Sequence, residues 1–361
     1  MNKKLIAAAI AAAMVAPAAF AESTVYGILH TTIDANDFEN AAGNTAVDNW
    51  SVESRSSRLG FKGSEDLGNG MKAIYQIELT IESDGNQTSQ TAGQDGGDGI
   101  GGQRNTFVGL AGGFGTFLVG RHDTPMKVAM YASGNERLGD SILDMSLSNS
   151  LQAGNNVGFA RKSGLSPIGV FSEYRADNGI AYISPNFSGF TLAAAVIPGE
   201  DPAGVANERD GIADHYSLGL MYAGGGLKAS LGYQETEAGG ETQETMQAGA
   251  SYTFGAFSIG AQYEDTDTFG FTKNADYKAY AVTGQATFGN NAISLMYTDS
   301  EMDNPTGVAD EETQGWGVAA EHNFSKRTKV YAAYAADSRE IAAGGPDSDV
   351  DVFSLGMIHK F

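Results

Sequence analysis

The sequence predicts an all-β fold, a transmembrane antiparallel β-barrel of about 16 strands with short periplasmic turns and long extracellular loops. Three observations point there. In the C-terminal segment Asp349–Phe361, Phe353, Leu355, Met357 and Phe361 fall on one side of a two-residue alternation, with Val352, Ser354, Gly356 and Lys360 between them. Similar apolar-alternating segments recur through the chain, joined in turn by a tight glycine or asparagine turn and a long acidic loop. Beyond the N-terminal leader, no apolar run is long enough for a spanning helix. A chain that crosses a bilayer without such a helix must pair every backbone group within a closed barrel.

The segments run in order along the chain. Thr24 to Ala35 and Trp50 to Lys62 come first, and the turn 63–70 leads into Met71 to Glu82. Arg104 to Ala111 turns through Gly112–Gly115 into Thr116 to Arg121. After a long interval, Arg175 to Ser184 turns into Phe190 to Ile197. The second half holds the hairpins His215–Thr236, Thr245–Glu264, Tyr277–Thr298 and Gln314–Ala336, and the C-terminal strand closes the series. A soluble sandwich has similar hairpins, but strands such as Ala332-Ala333-Tyr334-Ala335-Ala336 carry small residues where a two-sheet core would need bulk.

The N-terminus and the composition fit an exported membrane protein. Met1-Asn-Lys3-Lys4, an apolar stretch from Leu5 to Val15, and small residues at Ala19 and Ala21 read as a cleaved signal peptide over residues 1–21, leaving 22–361 as the barrel domain. Loss of Lys3 and Lys4 takes the formal charge from −22 to −24. So acidic a chain argues against nucleic acid as a partner, because phosphate binding needs clustered cations. With no cysteine, the exported chain has no disulfide framework. The 48 glycines, 15 tyrosines and 18 phenylalanines against 8 prolines suit strands and turns.

Arg55-Ser-Ser-Arg58-Leu-Gly-Phe-Lys-Gly-Ser-Glu-Asp-Leu-Gly-Asn-Gly-Met-Lys-Ala-Ile-Tyr-Gln76 resembles the second strand, first turn and third strand of the trimeric general porins of Gram-negative outer membranes. The resemblance extends to Val25-Tyr26-Gly27, Phe107–Gly115, Gly120-Arg121, Asp177–Gly189 and the terminal Phe361. It implies sixteen strands, a homotrimer, and a third extracellular loop folded into the lumen as a constriction. It also implies that the C-terminal aromatic, here Phe361, is read by the outer-membrane assembly machinery.

The interval His122 to Tyr174 stands where that third loop would be, and loops of such length are usually functional. Glu136, Asp140 and Asp144 are expected on its acidic side, and Ser146 to Ser172 reads as an expansion. A basic wall is expected opposite. Arg58 and Lys62 share parity with Gly60, while Leu59 and Phe61 take the lipid side. Arg104 has the parity opposite to Phe107, and Arg175 shares the inward parity of Asp177 and Gly179. Arg121, at the top of its strand, completes the set, whereas Arg55 has the outward parity and belongs at the rim. Facing rows of cations and anions across a narrow water channel orient dipolar solutes and set ion preference. Arginines beside the narrow site outweigh loop acids beyond a Debye length, which favours a weak anion preference there.

Other readings carry less. Gly97-Asp-Gly-Ile-Gly-Gly102 fits a dinucleotide fingerprint by letter, but it sits between a polar loop and a strand, so no cofactor is expected. The five histidines lack a nucleophile in a strained glycine elbow, and only the pair His122-Asp123 merits a test, so no enzyme is expected. The acidic loops lack the spacing of a twelve-residue calcium loop, although they suit bridging to lipopolysaccharide phosphates through divalent ions. The function expected is a passive diffusion channel for small hydrophilic solutes and ions in the outer membrane. The alternatives are a substrate-specific channel, an adhesin or a rim hydrolase.

Overall fold

The computed structural model describes residues 22–39, 45–84, 100–147, 166–200, 211–305, 307–341 and 348–361. The leader 1–21, the first half of the dinucleotide-like motif and most of the third-loop expansion lie outside these residues. Antiparallel strands wind into a closed cylinder. They begin with β1 (Glu22–Glu39), β2 (Thr45–Ser54), β3 (Arg58–Gly68), β4 (Met71–Ile81), β5 (Ile100–Gly112) and β6 (Gly115–Asp123). A helix α1 (Pro125–Ala132) and two-residue strands β7 (Ser146–Leu147) and β8 (Phe171–Ser172) come after them. Next are β9 (Arg175–Ile183), β10 (Phe190–Ile197), β11 (His215–Gly224), β12 (Leu227–Ala238), β13 (Glu241–Phe254) and β14 (Phe257–Asp267). The series ends with β15 (Asp276–Phe288), β16 (Asn291–Asp303), β17 (Glu311–Asn323), β18 (Thr328–Ile341) and β19 (Ser348–Lys360).

Each barrel strand pairs with its sequence neighbour, except that β6 pairs with β9 across the long third loop. Because β2 and β3 lie end to end against β1, the cylinder has sixteen staves. It closes where β1 meets β19, in register from Ile28 opposite Lys360 to Glu39 opposite Asp349. Phe361 completes the seam. Its backbone exchanges two hydrogen bonds with Gly27, and its ring fills the space a β-carbon on Gly27 would need. No edge is left unpaired there.

Alternation separates the two faces. Phe353, Leu355, Met357 and Phe361 are 39–50 % exposed and face outward, while Val352 and Ser354 are buried inside. Turns at one end are tight, as at Asn69-Gly70 and Gly225-Gly226, where positive φ angles favour glycine and asparagine. At the other end the strands run farther than the apolar pattern shows. β1 continues to Glu39 and β16 to Asp303, and β12 passes to β13 through Gly239-Gly240 alone. Beyond the apolar band most positions of these strands are polar, so the ladder continues where hydrophobic alternation stops.

Two irregularities redirect side chains. The strand expected from Trp50 to Lys62 breaks at residues 55–57, where Ser56 adopts a φ of 50°. Opposite β4, strand β5 slips register twice between residues 101 and 106, next to Gly102 at a φ of 53°. Each slip is a bulge, and an odd residue reverses the facing of the residues after it.

Candidate functional site

The third loop leaves β6 at Asp123 and turns back across the inner wall. Thr124 caps α1, its hydroxyl accepting from Lys127 N at 3.4 Å, with Pro125 in the first turn. Met126, Ala129 and Met130 are buried, and the helix packs on β11 and β12. Its close approach needs bare backbone beneath it: a β-carbon on Gly219 would fall 2.5 Å from Pro125 O, and one on Gly232 would fall 2.7 Å from Met126 Cγ. Farther along, Leu138, Ile142, Leu143 and Phe171 are buried in a cluster with Ala279, Ala281, Ala319, Ala333 and Ala335 of the wall. The alanine-rich strands thus form the floor on which the loop lies.

The loop leaves a cavity of about 560 Å³ on its other side, against β1 to β5. Its lining includes five cations, Arg55, Arg58, Arg104, Lys127 and Arg175, and six carboxylates, Glu78, Glu82, Asp123, Asp140, Asp144 and Glu173. Each cation has an acidic partner. Arg58 reaches across to Asp140 of the loop at 3.3 Å. Arg104 bonds Glu78 at 2.8 Å, and Glu78 also accepts from the Tyr26 hydroxyl at 2.8 Å. Arg175 pairs with Asp123 at 2.9 Å, and Lys127 lies between Asp123 and Glu173 at 3.2 and 3.1 Å. Arg55 joins Asp34 at 2.5 Å.

The expected site residues therefore divide. Arg58, Arg104, Arg175, Asp140 and Asp144 all line the cavity. Arg104 arrives there by a different route from the one its parity implied. Val108 and Leu110 are the exposed residues of β5, and Phe107 packs inward with Leu118 and Ala181. Simple alternation from Val108 would turn Arg104 outward, and the register slips bring it back. Lys62 stands outside the cavity, over the Tyr26 ring at 5.0 Å. Arg121 shares the parity of the exposed Phe117 and Val119, ion-pairs Asp177, and is not brought to the cavity. Arg55 corrects the rim expectation, because the break at 55–57 carries it inward until it is only 7 % exposed. Glu78, Lys127 and Glu173 were not foreseen, although Glu78 shares the inward parity of Gln76 and Lys127 stands in the first turn of α1.

Glu136 and Asp144 work inside the loop. Glu136 accepts from Met145 N at 3.2 Å; burial, then the neighbouring Asp144, holds its carboxyl well above the usual range. Asp144 accepts from Asp140 N at 2.6 Å and from Ser146 N at 2.8 Å. Burial, with Glu173 nearby, pushes its carboxyl up to about 6. The pair His122-Asp123 shows no catalytic geometry, since His122 Nδ1 lies 3.1 Å from the backbone oxygen of Asp123, not its carboxylate. Among the described residues no group of side chains has the arrangement of a metal site.

A family model described as Gram-negative porin matches residues 7–342. The chain belongs to the Gram-negative porins. This porin is 29 % identical to outer membrane porin protein 32 of Delftia acidovorans, over 92 % of this chain and 88 % of that one. It is 26 % identical to a major outer membrane protein P.IB of Neisseria gonorrhoeae over the full length of both, and 28 % identical to a monosaccharide porin of a Halomonas species over 92 % of this chain and 79 % of that one. Its fold is similar to that of an anion-selective porin from Comamonas acidovorans, with a TM-score of 0.65 at 23 % identity, covering 94 % of this chain and all of that one. It is also similar to the trimer form of the Vibrio cholerae outer membrane protein OmpT, with a TM-score of 0.64 at 18 % identity, covering 94 % and 99 %. The porin is a β-barrel of the outer membrane.

Proposed function

We infer that this porin is a passive, water-filled diffusion channel for small hydrophilic solutes and ions, limited in size and charge where the third loop faces the wall. The contact that carries the reading is Arg58 with Asp140, a wall cation meeting a loop acid at 3.3 Å beside the cavity. The pair is partly wet and joins wall to loop, so it acts as a fixed dipole across the passage. Arg58, Arg104 and Arg175 form the basic wall and Asp140 the acidic side, with Asp144 behind it; Lys62 serves the lumen below.

The pairing alters the expected ion preference. An unpaired arginine row would attract anions, but each wall cation here meets a carboxylate, and the cavity lining carries one more acid than base. With the acidic mouths unopposed, the channel prefers cations weakly. No turnover chemistry is assigned to it.

We further propose removal of residues 1–21 on export, assembly of three copies, recognition of Phe361 by the assembly machinery, and a lipopolysaccharide surround; similarity to other Gram-negative porins supports each. A channel specific for one solute is the second reading, favoured by the similarity to a monosaccharide porin. Liposome swelling separates the two. Uptake rates of sugars and amino acids that fall smoothly with size support general diffusion, whereas saturation by one sugar supports the specific channel.

A further inference from the structure

Between α1 and the acidic side of the loop, residues 133–137 make a polar joint with three strands of the wall. Asn135 is fully buried. Its Nδ2 donates to Ala261 O of β14 at 2.8 Å, and its Oδ1 accepts from Thr283 Oγ1 of β15 at 3.2 Å. Ser251 Oγ of β13 donates to Ser133 O at 2.6 Å. Arg137 donates to Ser258 Oγ at 3.0 Å and to Thr283 Oγ1 at 2.9 Å. Beneath the amide lies Gly260, where a β-carbon would fall 2.0 Å from Asn135 Oδ1, 2.7 Å from Ala250 O and 2.8 Å from Ser251 Cβ, so the Asn135 side chain sits on bare backbone.

We propose that Asn135, seated on Gly260, is the positioning residue that fixes the third loop and thereby the width of the passage. This rests on the reading of the loop as the constriction. The Arg58–Asp140 contact is too weak to hold the loop alone, because both side chains remain partly exposed, at 18 % and 34 %, and a wet ion pair of that kind adds little. The Asn135 bonds are buried, and breaking them takes a donor from Ala261 O and leaves the Thr283 hydroxyl to Arg137 alone. Asp140 lies five residues beyond Asn135 and between Leu138 and Ile142 of the apolar cluster, so a directional polar joint on one side and non-directional packing on the other set where it stands. Asn135 itself does not line the cavity, so its effect on permeation passes through the loop.

The chain has no cysteine of its own, which makes the joint directly testable. Asn135 Oδ1 is two bonds from its own β-carbon, so cysteines at 135 and 260 would hold their β-carbons no farther apart than a disulfide spans, roughly 4.5 Å. The experiment records single channels of the wild type, of Asn135→Ala, and of the double variant Asn135→Cys with Gly260→Cys assembled oxidised and then reduced in the bilayer. The expected result is a steady wild-type current, a noisy Asn135→Ala current with exclusion shifted to larger polyethylene glycols, and a double variant that is steady when oxidised and noisy after reduction. The redox comparison uses one assembled channel, and Gly260→Cys alone controls for the strain its β-carbon meets at Ala250 O, 2.7 Å away, and Ser251 Cβ, 2.8 Å away. Asn135→Asp, which keeps the Oδ1 acceptor and loses the Nδ2 donor to Ala261 O, should be noisy too, so the proposal is decided even where the cysteine or alanine variants fail to assemble. An oxidised and a reduced channel with the same noise and the same size exclusion would overturn the proposal. A wild type without conductance steps would instead sink the channel reading on which it rests.

Discussion

Arg58 and Arg104 point into the same cavity but answer to different partners, and that difference is testable. Glu78→Gln removes the acid that neutralises Arg104, so the reversal potential in a salt gradient should move toward anions. One charge about 8 Å from the ion path in water amounts to about 0.5 kcal/mol, roughly a twofold change in permeability ratio. Replacing Arg58 and Arg104 together by glutamine should move it toward cations by more than loss of any loop acid. Asp144 adds a pH dependence. Its carboxyl in the folded loop is raised to about 6, above its ordinary 3.8, so the docked loop binds the proton more tightly than a free one does. That contribution to docking is full below the ordinary value and disappears as pH rises through 6. Cation preference should therefore fall between pH 7 and pH 5 with a midpoint near 6, and Asp144→Asn should abolish that step. Alternation placed Arg58 on the inner face, because β3 pairs regularly with β4 from Arg58 to Asp66. It failed for Arg55 and reached Arg104 from a mistaken premise, since a positive φ at Ser56 and the slips beside Gly102 depend on strand pairing that one sequence does not display.

At the scale of elements, the loop depends on bare backbone under α1. Gly232→Val would drive a side chain into Met126, and overpacking of that kind costs about 1–3 kcal/mol. The variant should dissociate at lower temperature in detergent gels, and its channels should conduct less because the helix is pushed toward the passage. At the seam, deletion of Phe361 should reduce the amount of assembled channel in outer-membrane fractions while leaving the conductance of surviving channels unchanged. All sixteen staves were legible from period-two alternation and turn glycines. Their outer ends were not, because Asp299 to Asp303 and Glu241 to Glu244 pair in strands whose residues are nearly all polar and show no apolar alternation. The helix had legible boundaries in Thr124-Pro125 and Gly134, yet at eight residues inside a long interval it carried too short a period to stand out. The parallel bridge between β7 and β8 has two residues a side and no sequence pattern at all.

Over the whole molecule, acid exceeds base by 22 charges, yet within the passage the signs nearly balance. In the function proposed above, the barrel supplies an aqueous route, the third loop narrows it, and the joint at Asn135 holds the narrowing in place. Passage of this kind is passive: flux should depend on gradient, size and charge. Passive, charge-balanced permeation is best tested by single-channel recording of the wild-type porin in planar bilayers across a range of potassium chloride concentrations, with the reversal potential taken in a gradient. Conductance steps should come in groups of three and grow in proportion to bath conductivity, with the reversal potential displaced modestly to the cation side. Conductance that saturates at low salt, or a strong anion preference, would be incompatible with such a passage.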